Sequence, residues 1–283
     1  VGTYVVTGSA SGMGRQATEK LRAAGHSVIG IDIKDAEISA DLSTTVGRRA
    51  AAEAALAACG GVLDGAVLAA GLGPVEGRQR LIAQVNYFGV VELLMSLQPA
   101  LARAERAKVV VIASNSTTTT PLVPRRATRA LLAGDVDKAL RAVRVFGKKS
   151  AAIVYAASKI AVSRWVRRHA VTGDWAGAGI RLNALAPGAI MTPLLAEQLA
   201  NPKEAKAVKA FPVPIGGYGD AGQLADWMLF MLSDAADFMC GSVVFVDGGS
   251  DAYFRTDSWP VAVPARSLPH YLVRFLGYGR SKR

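Results

Sequence analysis

Short apolar runs alternate with amphipathic stretches along most of the chain. Residues 3–7, Thr-Tyr-Val-Val-Thr, read as a buried strand, and a helical pattern follows to about Ala24, ended by Gly25. Residues 26–31 are a second strand with Asp32 at its end. A third strand is expected at 38–41, yet only Ile33 to Glu37 precede it, where a parallel crossover normally takes a dozen or more residues. Either that strand is very short and displaced, or a covering helix has been deleted. Helix is expected at 44–58, strand at 63–69, a long helix at 81–101 and strand at 108–114. The run 153–171 is an amphipathic helix with Ile160, Val162, Trp165, Val166 and Val171 as its apolar members. Strand 180–186, helix 221–233 and strand 242–246 complete a pattern of alternating strand and helix. It predicts an α/β fold with a doubly wound parallel sheet of about seven strands, in one domain over 1–252.

Three segments break the rhythm. Residues 115–150 open on a Thr run with Pro121 and Pro124, then Leu132, Val136, Leu140 and Val143 recur at helical spacing over 128–145. They predict a helical insert with a basic outer face. Residues 190–217 set Ile190, Met191, Leu194, Leu195, Leu199, Phe211, Val213 and Ile215 among prolines and glycines, the composition of a mobile lid over an apolar pocket. Residues 253–283 form a basic-aromatic extension.

Composition changes the picture in two places. The net charge of +11 would suggest a nucleic-acid partner until it is located. Residues 115–150 hold eight Lys/Arg against two Asp and residues 251–283 hold six against two, leaving the rest at +1. The basic balance belongs to the insert and the tail, the core suits a small-molecule enzyme, and no nucleic-acid partner is expected. Cys59 and Cys240 lie far apart and read as free thiols, with neither disulfide nor metal-ligand spacing. No apolar run approaches the ~18–20 residues of a membrane span and no signal-peptide pattern precedes the first strand, so a cytoplasmic protein is expected.

The candidate chemistry begins at Gly8-Ser9-Ala-Ser11-Gly12-Met13-Gly14, between the first strand and first helix. Backbone N–H groups and a positive helix end face an anion there, and glycine lets the chain come close. Asp32 stands about 20 positions on, where a ribose 2′-hydroxyl would be held. Its carboxylate would repel a 2′-phosphate and position 11 supplies no cation, so NAD is expected over NADP; Lys34 is the one cation nearby. Tyr155 and Lys159 are one helical turn apart and share a face. A cation there favours the phenolate, which suits proton transfer to or from a substrate oxygen. Ser114, at a strand end, is preferred over Ser116 as the partnering hydroxyl.

Together these features resemble the classical short-chain dehydrogenase/reductase family. The matching pieces are Thr7-Gly8-x-x-x-Gly12-x-Gly14, Asp41-Leu42, Ala70-Gly71, Asn86, Ser114, Tyr155/Lys159 and Pro187-Gly188-x-x-x-Thr192, over nearly nine tenths of the chain. The missing crossover helix, the insert and the stretches 30–37, 70–74, 85–89 and 247–252 are similar to its bacterial 3α-hydroxysteroid dehydrogenase/carbonyl reductase branch. Leu68-Ala69 depart from the usual Asn-Asn pair, and the tail departs from the branch. The resemblance implies a Rossmann-type sheet with NAD as cofactor. It implies Tyr155 as general acid or base, Lys159 lowering its pKa and holding the nicotinamide ribose, and Ser114 bonding the substrate oxygen. Asn86 would hold a water behind Lys159. The glycine loop would cradle the pyrophosphate, Asp32 the adenosine ribose, Asp41 and Leu42 the adenine, with Ala70 and Gly71 alongside. Pro187, Gly188, Ile190 and Thr192 would fix the carboxamide.

These expectations give an NAD(H)-dependent oxidoreductase interconverting a secondary alcohol and a ketone on a bulky apolar substrate, a hydroxysteroid or xenobiotic carbonyl, with Met191, Leu194 and Leu195 lining its pocket. The competing reading is an NAD-binding regulatory protein that uses its basic insert and tail to hold a partner. A homo-oligomer is expected, a dimer above other states. The apolar tail residues 268–278 can pack on their own subunit, on a partner subunit or on an anionic membrane; docking across a dimer near the lid is favoured.

Overall fold

The computed structural model describes residues 1–277, with 203 and 204 by backbone alone; Tyr278 and the basic end 280–283, which the tail expectation included, lie outside the described residues. The strands are β1 (Thr3–Thr7), β2 (Ser27–Asp32), β3 (Ile38–Ser39), β4 (Gly65–Leu68), β5 (Lys108–Ile112), β6 (Arg181–Pro187), β7 (Ile190–Met191), β8 (Gly219–Asp220) and β9 (Val243–Val246). Seven of them form one parallel sheet in the order β3-β2-β1-β4-β5-β6-β9, while β7 and β8 pair separately. The order reverses between β1 and β4, which opens the crevice where ligands bind such sheets.

Alternation along each strand feeds two helical layers. Val5, Val109 and Val111 pack with helices Thr45–Ala58, Gln79–Ala102 and Ser150–His169, whereas Tyr4, Val6, Val110 and Ile112 pack with Gly12–Ala23 and Ala221–Leu232. The crossover puzzle resolves as a very short strand. β3 pairs only Ile31 with Ile38 and Asp32 with Ser39, so the chain need retreat by little more than two residues before pairing again.

Two expectations need correction. The insert is two helices, Arg125–Leu132 and Val136–Val143, because Gly134 takes φ +80° and ends the first. Its buried apolar residues are Ala127, Ala130, Leu131, Ala139, Ala142 and Val143, while Leu132, Val136 and Leu140 are partly buried against the same core. Secondly, the 24-residue helix Gln79–Ala102 is long and apolar enough to cross a membrane, but Ile82, Leu93, Leu97 and Leu101 are fully buried in the core.

Residues 190–217 carry helices Pro193–Ala200 and Pro202–Ala210, and Leu195 and Ala205 are buried beneath them. The tail ends in helix Leu268–Gly277, whose large apolar side chains are all exposed. Packing on its own subunit is thus not what the described residues adopt.

Candidate active site

The loops at the carboxyl ends of β4 and β5 meet helix Ser150–His169 at Tyr155 and Lys159. Lys159 is buried and its Nζ donates to the Ile112 carbonyl at 2.8 Å, at the end of β5. Two residues on, Ser114 is buried and its hydroxyl bonds Tyr155. Its Oγ also accepts the Ser116 amide at 3.1 Å. Ser116 opens the short helix Ser116–Thr119, its own Oγ buried and unpartnered among the described residues. Ser114 is therefore the hydroxyl beside the phenol.

Burial raises Tyr155 above the ordinary phenol value, and the Ser114 bond works against that rise. Burial pushes Lys159 down to about 8. The Lys159 ammonium is turned to the Ile112 carbonyl, and burial is the largest influence on the phenol. A phenol that stays protonated at neutral pH is a ready proton donor, so the arrangement favours delivery to an oxyanion.

Asn86 lies in a π turn, Gln84–Phe88, of the kind that recurs at functional sites. Its Oδ1 accepts the Leu72 amide at 2.8 Å and its Nδ2 donates to the Leu72 carbonyl at 2.9 Å. These two bonds brace the loop after β4 and use one of the two acceptor sites and one of the two N–H groups of the amide. A Cβ on Gly71 would stand 3.3 Å from Asn86 Oδ1 and 3.7 Å from Lys159 Nζ, so this loop, Asn86 and Lys159 meet at Gly71. Thr7 Oγ1 accepts the Ala70 amide at 3.0 Å and ties β1 to β4 across the crevice.

The glycine loop turns at Gly8, with φ +71°, and at Gly12, with φ +54°. Ser11 is the N-cap of helix Gly12–Ala23 but makes no side-chain cap bond, leaving the first N–H groups for an external anion. Ser9 Oγ is buried and has no partner among the described residues. Asp32 accepts the Ala10 amide at 3.0 Å through Oδ2 and the Ile33 amide at 2.7 Å through Oδ1, which holds a carboxylate against the loop. An open helix end, an orphaned hydroxyl and an adjacent carboxylate fit a dinucleotide with a free ribose 2′-hydroxyl.

Asp41 is exposed and Leu42 is buried. Behind Leu42 stands Arg48, which the sequence reading missed. It is buried, donates to the Leu42 carbonyl at 3.1 Å, Gln84 Oε1 at 3.2 Å and Thr45 Oγ1 at 3.0 Å, and pairs with Glu92 at 2.6 Å. Asp247 was missed too. Its carboxylate accepts the amides of Gly249 at 3.1 Å and Asp251 at 2.7 Å, and Gly188 abuts its backbone so closely that a side chain there would clash. Pro187 accepts the Asn115 amide at 2.8 Å and Gly188 donates to Val246 at 3.1 Å, so the end of β6 is held from both sides.

Beyond it, Ile190 is buried in β7 and Thr192 caps helix Pro193–Ala200 by accepting the Leu195 amide at 3.4 Å. The Thr192 methyl is 3.4 Å from where a Gly12 Cβ would lie, so the root of the lid touches the glycine loop. Leu194 packs on Gly73, while Met191 and Leu194 keep exposed surface and Leu195 is turned under the lid.

Residues 138–251 match the family described as enoyl-(acyl carrier protein) reductase. Over 251 residues, 89% of this chain and 97% of the other, the sequence is 39% identical to the 3-alpha-hydroxysteroid dehydrogenase/carbonyl reductase of Comamonas testosteroni. A shorter match, 40% identical over 99 residues, covers 35% of this chain and 37% of the 3beta-hydroxysteroid dehydrogenase 1 of Eggerthella lenta. The fold is similar to the crystal structure of 3-alpha-hydroxysteroid dehydrogenase from Pseudomonas sp. B-0831 complexed with NADH, with TM-score 0.84 and 43% identity over 90% of this chain and 99% of that one. With a serine, tyrosine and lysine meeting beside a glycine loop, and with likeness of this extent, the chain belongs to the short-chain dehydrogenase/reductase family of oxidoreductases.

Proposed function

We propose that this protein is an NAD(H)-dependent oxidoreductase that interconverts a secondary alcohol and a ketone on a bulky apolar substrate of hydroxysteroid type. The observation that carries the reading is the Ser114–Tyr155 hydroxyl pair above the buried Lys159. NAD(H), when bound, supplies or accepts the hydride. The chain's own residues do the rest. Gly8, Ser9, Ser11, Gly12, Met13 and Gly14 bind the pyrophosphate, Asp32 the adenosine ribose, and Asp41, Leu42, Ala70 and Gly71 the adenosine. Pro187, Gly188, Ile190 and Thr192 orient the carboxamide. Ser114 donates to the substrate oxygen, and Tyr155 gives it a proton in reduction or takes one in oxidation. Lys159 holds the nicotinamide ribose, and Asn86 orders the water behind it. Met191 and Leu194, on the lid's exposed side, meet the substrate's apolar body, with Leu195 supporting them.

Cofactor choice tests the reading. Turnover of a hydroxysteroid panel with both cofactors should favour NAD(H), and Asp32→Ala should narrow the gap. A tenfold preference for NADP(H), about 1.4 kcal/mol in the other direction, would overturn it. The relatives named above are dehydrogenases and reductases, which gives the regulator alternative no support, and a pure binder has no need of the complete Ser114, Tyr155 and Lys159 set.

We also infer a catalytic domain at 1–252 with an extension at 253–283, a cytoplasmic location and a homodimer. Trp227 and Phe230 support the dimer: they are partly exposed on helix Ala221–Leu232 and line an open hollow of about 480 Å³ with Gln223 and Asp226. The insert packs against helix Ser150–His169 and covers part of its surface.

A further inference from the structure

Helix Leu268–Gly277 has one apolar arc, with Leu268, Tyr271, Leu272, Phe275 and Leu276 recurring at three- and four-residue spacing. His270 and Arg274, four apart, form the opposite stripe. The helix packs on the turn Ala265–Ser267 just before it, and Phe275 and Leu276 are 67% and 73% exposed. Trp259, Val261 and Val263 in the approach to it are exposed as well. From residue 258 to residue 283 the chain has five Lys/Arg and no Asp or Glu.

We propose that this extension is a contact for an anionic lipid surface, one that holds the mouth of the lid against the bilayer. An amphipathic segment with aromatic and leucine residues on one side, and with Arg274 and no acidic residue on the other, has the composition that lies in a membrane interface. Charge decides between the two candidate occupants. Paired tail to tail, a second copy brings its own six Lys/Arg against two Asp over residues 251–283 and repels a basic segment, whereas anionic headgroups attract it.

The root of the extension is fixed beside the lid. Ser250 Oγ donates to the Pro212 carbonyl at 2.7 Å, the rings of Phe211 and Phe254 are 5.6 Å apart, and Arg255 is clasped by Asp251 at 2.7 and 2.9 Å. A membrane contact that begins at Trp259 is therefore tethered to the chain four residues beyond this anchor at Arg255. If the substrate is apolar, a purpose that rests on the function proposed above, it can pass from the bilayer to the pocket without crossing bulk water.

Co-sedimentation with phosphatidylcholine vesicles, with and without phosphatidylglycerol, tests this on the full chain and needs no substrate. At least ~10-fold more protein should pellet with the anionic vesicles, and high salt should weaken that binding. Phe275→Asp and Leu272→Asp should abolish it while leaving turnover of a soluble substrate unchanged. Full-length protein that stays in the supernatant with anionic vesicles overturns the proposal. So does a loss of particle mass, by light scattering, when 258–283 are deleted without any vesicle binding having been present; the extension is then a clasp between copies. Absence of hydroxysteroid turnover with vesicle binding intact would count against the proposed substrate and leave the membrane contact standing.

Discussion

Tyr155→Phe should bind NAD(H) as the parent does and turn over at least ~100-fold more slowly, the scale of losing a general acid or base. The substitution keeps the ring and removes one hydroxyl, the one bonded to Ser114. Ser114 stays in place through its bond from the Ser116 amide, so the substrate oxygen keeps one donor and loses its proton source. The groups proposed to hold the cofactor, from the glycine loop to Asp32, are untouched. Fluorescence titration of NADH alongside steady-state rates checks both halves. Near-parental rates would mean that the proton comes from another group.

Arg48→Met should cost about 2–3 kcal/mol of stability, the sum of an orphaned buried carbonyl and several lost charge-assisted bonds. Methionine replaces the aliphatic stem but offers no donor to the Leu42 carbonyl, Gln84 or Thr45. Glu92 is 42% exposed, so water screens much of what that ion pair contributes and the buried carbonyl dominates. A fall in Tm of about 5 °C is expected for a chain of this size. Because the same guanidinium holds Leu42, NADH affinity should weaken while kcat at saturating cofactor is kept. An unchanged Tm would show that water replaces the arginine at no cost.

The fold was legible because a parallel sheet buried on both sides makes short, continuous apolar runs, and β1, β5 and β6 are such runs. The candidate site was legible wherever a motif sits at a strand end: Asp32 lies against the glycine loop, Ser114 lies beside Tyr155, and Lys159 bonds the last carbonyl of β5. What sequence spacing does not carry is the partner of a side chain. Arg48 reads as one more surface cation in an alanine-rich helix, and nothing in its neighbourhood announces acceptors from residues 42 and 84. Asn86 offers an amide, and only the folded loop shows that Leu72 takes both ends of it. In the insert, the helical periodicity was real but Gly134 interrupts it, and a single period cannot describe two helices. Proximity to Lys159 is written in the sequence, whereas the depth at which the phenol sits is not.

The buried ammonium of Lys159 has a thermodynamic consequence beyond catalysis, through proton linkage. Its value of about 8 in the native protein lies below the 10.5 of an exposed lysine. Between those two values the unfolded chain binds a proton that the native chain has released. Unfolding then takes up a proton, and native stability rises with pH across that window. The full rise is about 3 kcal/mol, at about 1.36 kcal/mol for each pH unit of difference. Tyr155 acts in the opposite sense above about pH 10, because its raised value keeps a proton that the unfolded phenol would lose. Differential scanning between about pH 8 and 10 should therefore show the parent gaining Tm relative to Lys159→Met, with the gap shrinking as the lysine discharges. A constant gap would mean that the ammonium reaches water. If the gap closes, the enzyme carries a standing destabilisation at neutral pH, located at the residue that its chemistry requires to be charged.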